Sequence, residues 1–176
     1  MGAGGERSIR QVAAKGYNLL LGQYAAPEDV GQSIAIFKDA VEANGRRFDP
    51  MQVGVSRAFF VADSRDEKEA ALERRLQNRA RQLRLATLPD GTVLGGPDRA
   101  TGDPQTVNVR SAMYGSPEEI AQQLQALRAV GARYILINGG GSGGGVRGRD
   151  SLRRFANEII PHFVDTIPRH TTAEMA

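Results

Sequence analysis

Gln52-Val53-Gly54-Val55-Ser56-Arg57-Ala58-Phe59-Phe60-Val61-Ala62 is the stretch on which the fold turns. It is a nearly continuous apolar run of strand length, enriched in β-branched and aromatic residues, not a polar/apolar alternation. A strand of that kind is covered on both faces, as strands of parallel sheets are. Directly after it, Asp63 or Ser64 caps a long helix predicted to reach about Leu85. Before it, Pro27-Glu28-Asp29 opens a helix whose apolar face is Val30, Ile34, Phe37 and Val41, closed by Asn44-Gly45.

Working outward, the same alternation repeats. Ser8 to Lys15 reads as a helix ended by Gly16 at C′, and Tyr17-Asn18-Leu19-Leu20-Leu21-Gly22 follows as a short strand. Downstream, Ser116-Pro117-Glu118-Glu119 combines a Ser N-cap, Pro at N1 and two acids in the first turn, so a helix starts there. Its buried stripe is Ile120, Leu124 and Leu127, and Gly131 ends it. Arg133 to Asn138 is the third strand, and a last helix from Ser151 buries Leu152, Phe155, Ile159 and Phe163. The stretch from about Pro89 to Tyr114 has no period and reads as one long loop. The tail 169–176 reads as frayed. Strands alternating with amphipathic helices define an α/β chain of parallel βα units, here one partial domain over 1–168. Three strands are expected, four if Met1-Gly2-Ala3 ends another. That is too few for an eight-stranded barrel of about 250 residues.

Composition sets the outer bounds. Of 176 residues, 40% are apolar and 24% charged, a globular balance. No run approaches the roughly 18 apolar residues of a membrane span, and the N-terminus shows no signal-peptide core, so a cytoplasmic location is expected. With no cysteine there are neither disulfides nor thiolate metal sites. An isoelectric point near 9.6 invites a nucleic-acid reading, but the net charge is only +3. The densest arginine group, Arg74 to Arg84, lies in a helix where Leu72, Leu76, Ala80 and Leu83 recur at helical spacing. The arginines are therefore expected on solvated faces, with no aromatic interleaving for base stacking.

Three segments, in order, resemble the C-terminal half of the luciferase-like flavin monooxygenase family. Gly4-Gly5-Glu6-Arg7-Ser8 and the helix and strand through Leu21 are similar to the family's turn after the fifth barrel strand, its helix and sixth strand. Gly45-Arg46-Arg47, then Arg57-Ala58-Phe59-Phe60-Val61-Ala62-Asp63, are similar to its seventh-strand region. Tyr114-Gly115-Ser116-Pro117-Glu118-Glu119-Ile120, then Leu152-Arg153-Arg154-Phe155-Ala156-Asn157-Glu158-Ile159-Ile160-Pro161, match its G-[ST]-P-E-x-[IV] and L-x-x-F-x-x-E-[IV]-x-P patterns. The resemblance implies the last three to four βα units of a (β/α)8 TIM barrel. It also implies an oxidoreductase that uses reduced FMN, or a deazaflavin in some branches, with dioxygen to oxidise a small organic substrate. A flavin reductase is an implied partner. With half the barrel absent the chain is expected to be inactive alone, or else a non-catalytic remnant or flavin-binding subunit. A homodimer or a companion chain is expected to complete the sheet.

The resemblance assigns the flavin phosphate to Gly4, Gly5 and Ser8, where glycines and a helix N-terminus welcome an anion. Glycine stands where the family often has serine or threonine; the other reading is a flexible terminus with an ordinary Ser cap. Gly22 and Gln23, at the C-terminal rim where barrel sites lie, either face the flavin or form a plain βα turn. Arg57, a charge inside an apolar strand, must be paired, either with a substrate anion or flavin oxygen or with an acid. Asn138, at a strand end, is a further rim candidate. The Gly139–Gly148 loop lacks a phosphate-loop ending and reads as a flexible glycine-rich loop. His162 and His170 have no partners at metal spacing, so no metal is expected.

Overall fold

The computed structural model describes residues 1–92, 109–138 and 145–166. The Gly139–Gly144 part of the glycine loop, His170 and the tail 169–176 lie outside the described residues. The elements run α1 (Glu6–Ala14), β1 (Leu19–Leu21), α2 (Pro27–Ala43), β2 (Val53–Val61), α3 (Arg65–Ala86), β3 (Met113–Gly115), α4 (Pro117–Ala129), β4 (Tyr134–Asn138) and α5 (Gly145–Arg154). After α5 the chain widens into a π turn over Phe155–Ile159 and tightens into a 3₁₀ stretch, Ile160–Thr166.

Every strand pairing is parallel. Leu19–Leu21 lie beside Val53–Val55, and Tyr134–Asn138 lie beside Gly54–Ala58, so β1 and β4 flank β2 on opposite edges. On the far side of β1, Gly2 bridges Leu20, with the Leu20 amide donating to Met1 and the Ala3 amide to Leu20. Four lines of parallel backbone thus succeed one another in chain order, each reached through a helix. That is the succession of the C-terminal half of a (β/α)8 barrel. The partial barrel expected from the sequence is the architecture found.

Side-chain alternation along β2 separates two layers. Val53, Val55, Phe59 and Val61 enter the main core with Ile9 and Val12 of α1, Val30, Ile34 and Phe37 of α2, Ile120 and Leu127 of α4, and Phe155 and Ile159. Each such buried side chain contributes about 1.5–3 kcal/mol. Ala58, Phe60 and Ala62 face the other way and pack with Ala71, Ala112 and Tyr114. That inner face is covered only at the C-terminal end of the sheet: nearer the N-terminal ends of the strands, Leu20 and Tyr134 are 41% and 44% exposed. Gly16 adopts φ +74°, the left-handed conformation that ends α1, and the Arg46 guanidinium donates to the Ala13 carbonyl at that helix end.

Several expectations are corrected. α1 starts at Glu6, capped by Gly5, so Ser8 lies inside the first turn instead of capping it. The expected loop ends in a strand, β3, whose Met113–Gly115 extend the sheet beside Phe59–Val61; three residues are too few to show a period. α5 begins at Gly145, and its buried stripe is Ser151, Phe155 and Ile159, while Leu152 is half exposed. Ser151 replaces Leu152 in that stripe because its hydroxyl oxygen accepts the Val61 amide at 2.8 Å, satisfying a buried strand-end donor. On α3 the buried residues are Ala71, Arg75 and Arg79, while Leu72, Leu76 and Leu83 are only half-buried.

Candidate functional site

The C-terminal ends of the strands gather most of the polar groups. Arg57, only 2% exposed, reaches from β2 to the turn that leaves β1. Its Nη1 donates to the Gly22 carbonyl at 3.3 Å and to its neighbour Ser56 at 2.9 Å, and Nη2 donates to Ala25 at 2.8 Å. Burial pushes its pKa down to about 10, with the charge of Arg75 adding to the effect, so the guanidinium remains charged at neutral pH. Among the described residues no carboxylate is bonded to it. Where the sequence left a ligand or an acid open as its partner, the structure shows three main-chain carbonyls. A charged donor suits the Gly22 and Ala25 carbonyls because they lie past the end of β1, where no ladder partner follows.

Beside this clamp lies a group that sequence reasoning placed on the solvated face. Arg75 Nη1 donates to Gln23 Oε1 at 3.2 Å, while Nη2 donates to the Gln23 carbonyl at 3.3 Å and to Ser111 Oγ at 3.2 Å. Its guanidinium sits 4.8 Å above the Tyr24 ring and 5.9 Å from the Tyr114 ring, and that of Arg79 sits 4.1 Å from Tyr24. Stacking on an aromatic face lets an arginine be buried with part of its charge stabilised. Burial lowers the Arg75 pKa, against the favourable fields of Tyr114 and Tyr24. Burial also pushes the Tyr114 phenol up, with the Arg75 charge opposing it. The signal was present: Ala71, Arg75 and Arg79 recur every four residues, and Tyr24 sits just past β1.

The remaining candidates occupy other positions. Gly5 caps α1 in extended conformation, and the Ser8 hydroxyl donates to its carbonyl at 2.7 Å. Gly4 to Arg7 are exposed, so the first amides of α1 open to solvent at the end of the edge segment 1–3. Those amides, with the positive end of the helix dipole, fit a phosphate group. Glu6 leans along the helix to Arg10. Asn138, ending β4, has its amide nitrogen 3.5 Å from Ser56 Oγ across the inner face of the sheet. The fold therefore joins Gly22, Gln23 and Arg57 directly. Asn138 stands beside that group, in register with Ala58 on the neighbouring strand, while the hydrogen bonds of Gly5 and Ser8 stay within the start of α1.

Comparison with known proteins completes the picture. The profile of the luciferase-like monooxygenase family matches residues 1–134. No curated protein matches significantly. Among solved structures, monooxygenase RslO1 from Streptomyces bottropensis is similar with TM-score 0.62 and 21% identity, over 92% of this chain and 46% of that one. The oxygenating constituent of 3,6-diketocamphane monooxygenase from Pseudomonas putida, in complex with FMN, gives TM-score 0.61 and 16% identity, over 91% and 46%. The coenzyme F420 dependent tetrahydromethanopterin reductase from Methanopyrus kandleri gives 0.59 and 16%, over 93% and 50%. The chain thus spans about half the length of these structures, and at such identities the likeness is one of fold.

Proposed function

Because this chain belongs to the luciferase-like monooxygenase family, we propose that it carries the C-terminal, phosphate-side half of a flavin-dependent monooxygenase site. The observation that supports this reading most is the exposed N-terminus of α1, which follows the glycine pair Gly4-Gly5 at the end of an edge strand position. In this reading the amides of Glu6, Arg7 and Ser8 hold the phosphate of FMN, or of a deazaflavin coenzyme. Gly22 and Gln23, pinned by Arg57 and Arg75, form a fixed wall beside the flavin ring, and Asn138 and Ser56 present polar groups to the inner face. When bound, reduced flavin would supply the electrons that reduce dioxygen, and the activated oxygen would oxidise a small organic substrate; the protein's share is to position both and to exclude water. A flavin reductase supplies the reduced cofactor.

Alone, the half-barrel is inactive in this reading. Residues 1–168 act as one partial-barrel domain, supported by a core that joins Ile9 to Ile159. Among the described residues β4 pairs only with β2, so its outer edge of Tyr134–Asn138 needs a strand from elsewhere. A second copy or a companion chain supplies it, and static light scattering on the purified chain then gives a mass above 19.0 kDa. Among the described residues no helix is long and apolar enough to cross a membrane, and the cytoplasm is the proposed location.

Flavin fluorescence tests the reading. Adding the chain to FMN quenches its emission at tens of micromolar, while riboflavin, which lacks the phosphate, binds about ten-fold more weakly, the equivalent of about 1.4 kcal/mol. Equal binding of the two would remove the phosphate assignment. No quenching by either would remove autonomous flavin binding.

A further inference from the structure

Arg75 and Arg57 are two buried cations, 4% and 2% exposed, that meet at the turn after β1, where Arg57 holds Gly22 and Arg75 holds Gln23. Among the described residues every hydrogen-bond acceptor on them is neutral: carbonyls, one amide oxygen and one hydroxyl. Among the described residues neither is bonded to a carboxylate. A buried charge left without a counter-charge is costly, and natural structures resolve it with a paired group or a ligand. Arg75 and Tyr114 lie against one another, and among the described residues neither Arg75 Nε nor the Tyr114 hydroxyl, both buried, has a hydrogen-bond acceptor beyond that contact. The Tyr114 ring stands 5.9 Å from the same guanidinium.

We propose that Arg75 and Tyr114, framed by Gln23, Ser111 and Tyr24, form a binding site for an oxyanion: the carboxylate, sulfonate or phosphate of an organic ligand. One acceptor group there satisfies Arg75 Nε and the Tyr114 hydroxyl together and neutralises the charge that Arg57 and Arg75 share. The site stands just past the C-terminal end of β1 and where β3 pairs with the C-terminal end of β2, the rim on which barrel enzymes hold their substrates. It deepens the functional reading above by giving the organic substrate an acidic group, and it rests on that reading only for the assignment to a substrate. Flavin has its own proposed contact at α1, so the two can fail separately.

The probe is sodium sulfate, titrated calorimetrically into the full chain at constant ionic strength made up with chloride. Saturable sulfate binding is expected, with Arg75→Gln weakening it at least about ten-fold and Arg74→Gln, on the exposed side of the same helix, leaving it unchanged. In ¹⁵N spectra of the wild-type chain, sulfate moves the Arg75 Nε resonance, a readout that needs no variant to fold. Where Arg75→Gln does not fold, that resonance and Arg75→Lys decide. Competition separates the sources: displacement of sulfate by methanesulfonate or benzoate but not FMN assigns the site to a substrate acid, and displacement by FMN assigns it to the flavin phosphate. Sulfate that binds no better than chloride, an unmoved Arg75 resonance, or equal loss in Arg74→Gln overturns the proposal. If sulfate binding is absent while FMN still quenches, the anion site falls and the flavin reading stands. The reverse result does the opposite.

Discussion

Arg57→Met isolates the clamp that holds the β1 turn. The guanidinium donates three hydrogen bonds, at 2.8, 2.9 and 3.3 Å, to carbonyls of Ala25, Ser56 and Gly22. Bonds from a charged donor are worth roughly 1.5–3 kcal/mol each, and taking all three near the bottom of that range their loss totals about 5 kcal/mol. Against this stands the cost of burying the charge. A pKa held at about 10 instead of 12.5 corresponds to about 3 kcal/mol, each tenfold change in proton affinity being about 1.4 kcal/mol. Methionine fills the same space without charge, so the net expectation is a destabilisation of about 2 kcal/mol, the difference of those two figures. Urea unfolding followed by far-UV circular dichroism, at one protein concentration, measures it: the midpoint falls and the slope is unchanged. A variant as stable as the wild type, or more so, would show that the carbonyls gain nothing from Arg57 and that the clamp is an expendable buried charge.

Two further perturbations probe other parts of the account. Gly115 has φ +152°, and a methyl group there would collide with the Glu119 carboxylate, which accepts the Ser116 amide in the cap of α4; Gly115→Ala should therefore lose about 2–3 kcal/mol in the same urea assay, and a loss below about 1 kcal/mol would show that the strand end relaxes freely. Lys68 and the Ser116 amide hold the Glu119 carboxyl below its ordinary pKa. A depressed carboxyl contributes stability above its unfolded value, near about 4.3, and loses it as the pH falls through the lower folded value. Acidification from neutral pH to pH about 3 should then lower the melting temperature of wild type more than that of Glu119→Gln, and an equal drop would remove the linkage.

The parts of the molecule that were legible in the sequence are those whose burial is apolar and periodic. Val30, Ile34, Phe37 and Val41 lie on one face of α2 because the helix packs on a layer that accepts only such side chains, and all four are buried. The continuous apolar run of β2 is covered on both faces, as parallel pairing demands. What escaped is burial achieved by polar means. Arg75 and Arg79 occupy the inner stripe of α3 because that helix meets the Tyr24 ring and the polar turn after β1, and a rule that sends arginine to solvent cannot see an aromatic platform fifty residues away. Ser151 takes a core position through one hydrogen bond to the Val61 amide. β3 is three residues long, held by pairing with the end of β2 and not by a pattern of its own. For the site the same division holds. Gly22, Gln23 and Arg57 were named from position and charge, and the fold brings them together, but Arg75, Ser111 and Tyr114 arrive from two other segments, and their meeting with Tyr24 beside Gln23 is visible only in three dimensions.

The account's central claim is that this half-barrel holds the phosphate end of a flavin at the N-terminus of α1. Amide ¹H–¹⁵N spectra of the labelled chain, recorded during titration with FMN and separately with riboflavin, test it most directly. The largest shifts are expected at the Glu6, Arg7 and Ser8 amides, with FMN and not with riboflavin. Shifts centred on other residues, or the same shifts with riboflavin, would contradict it.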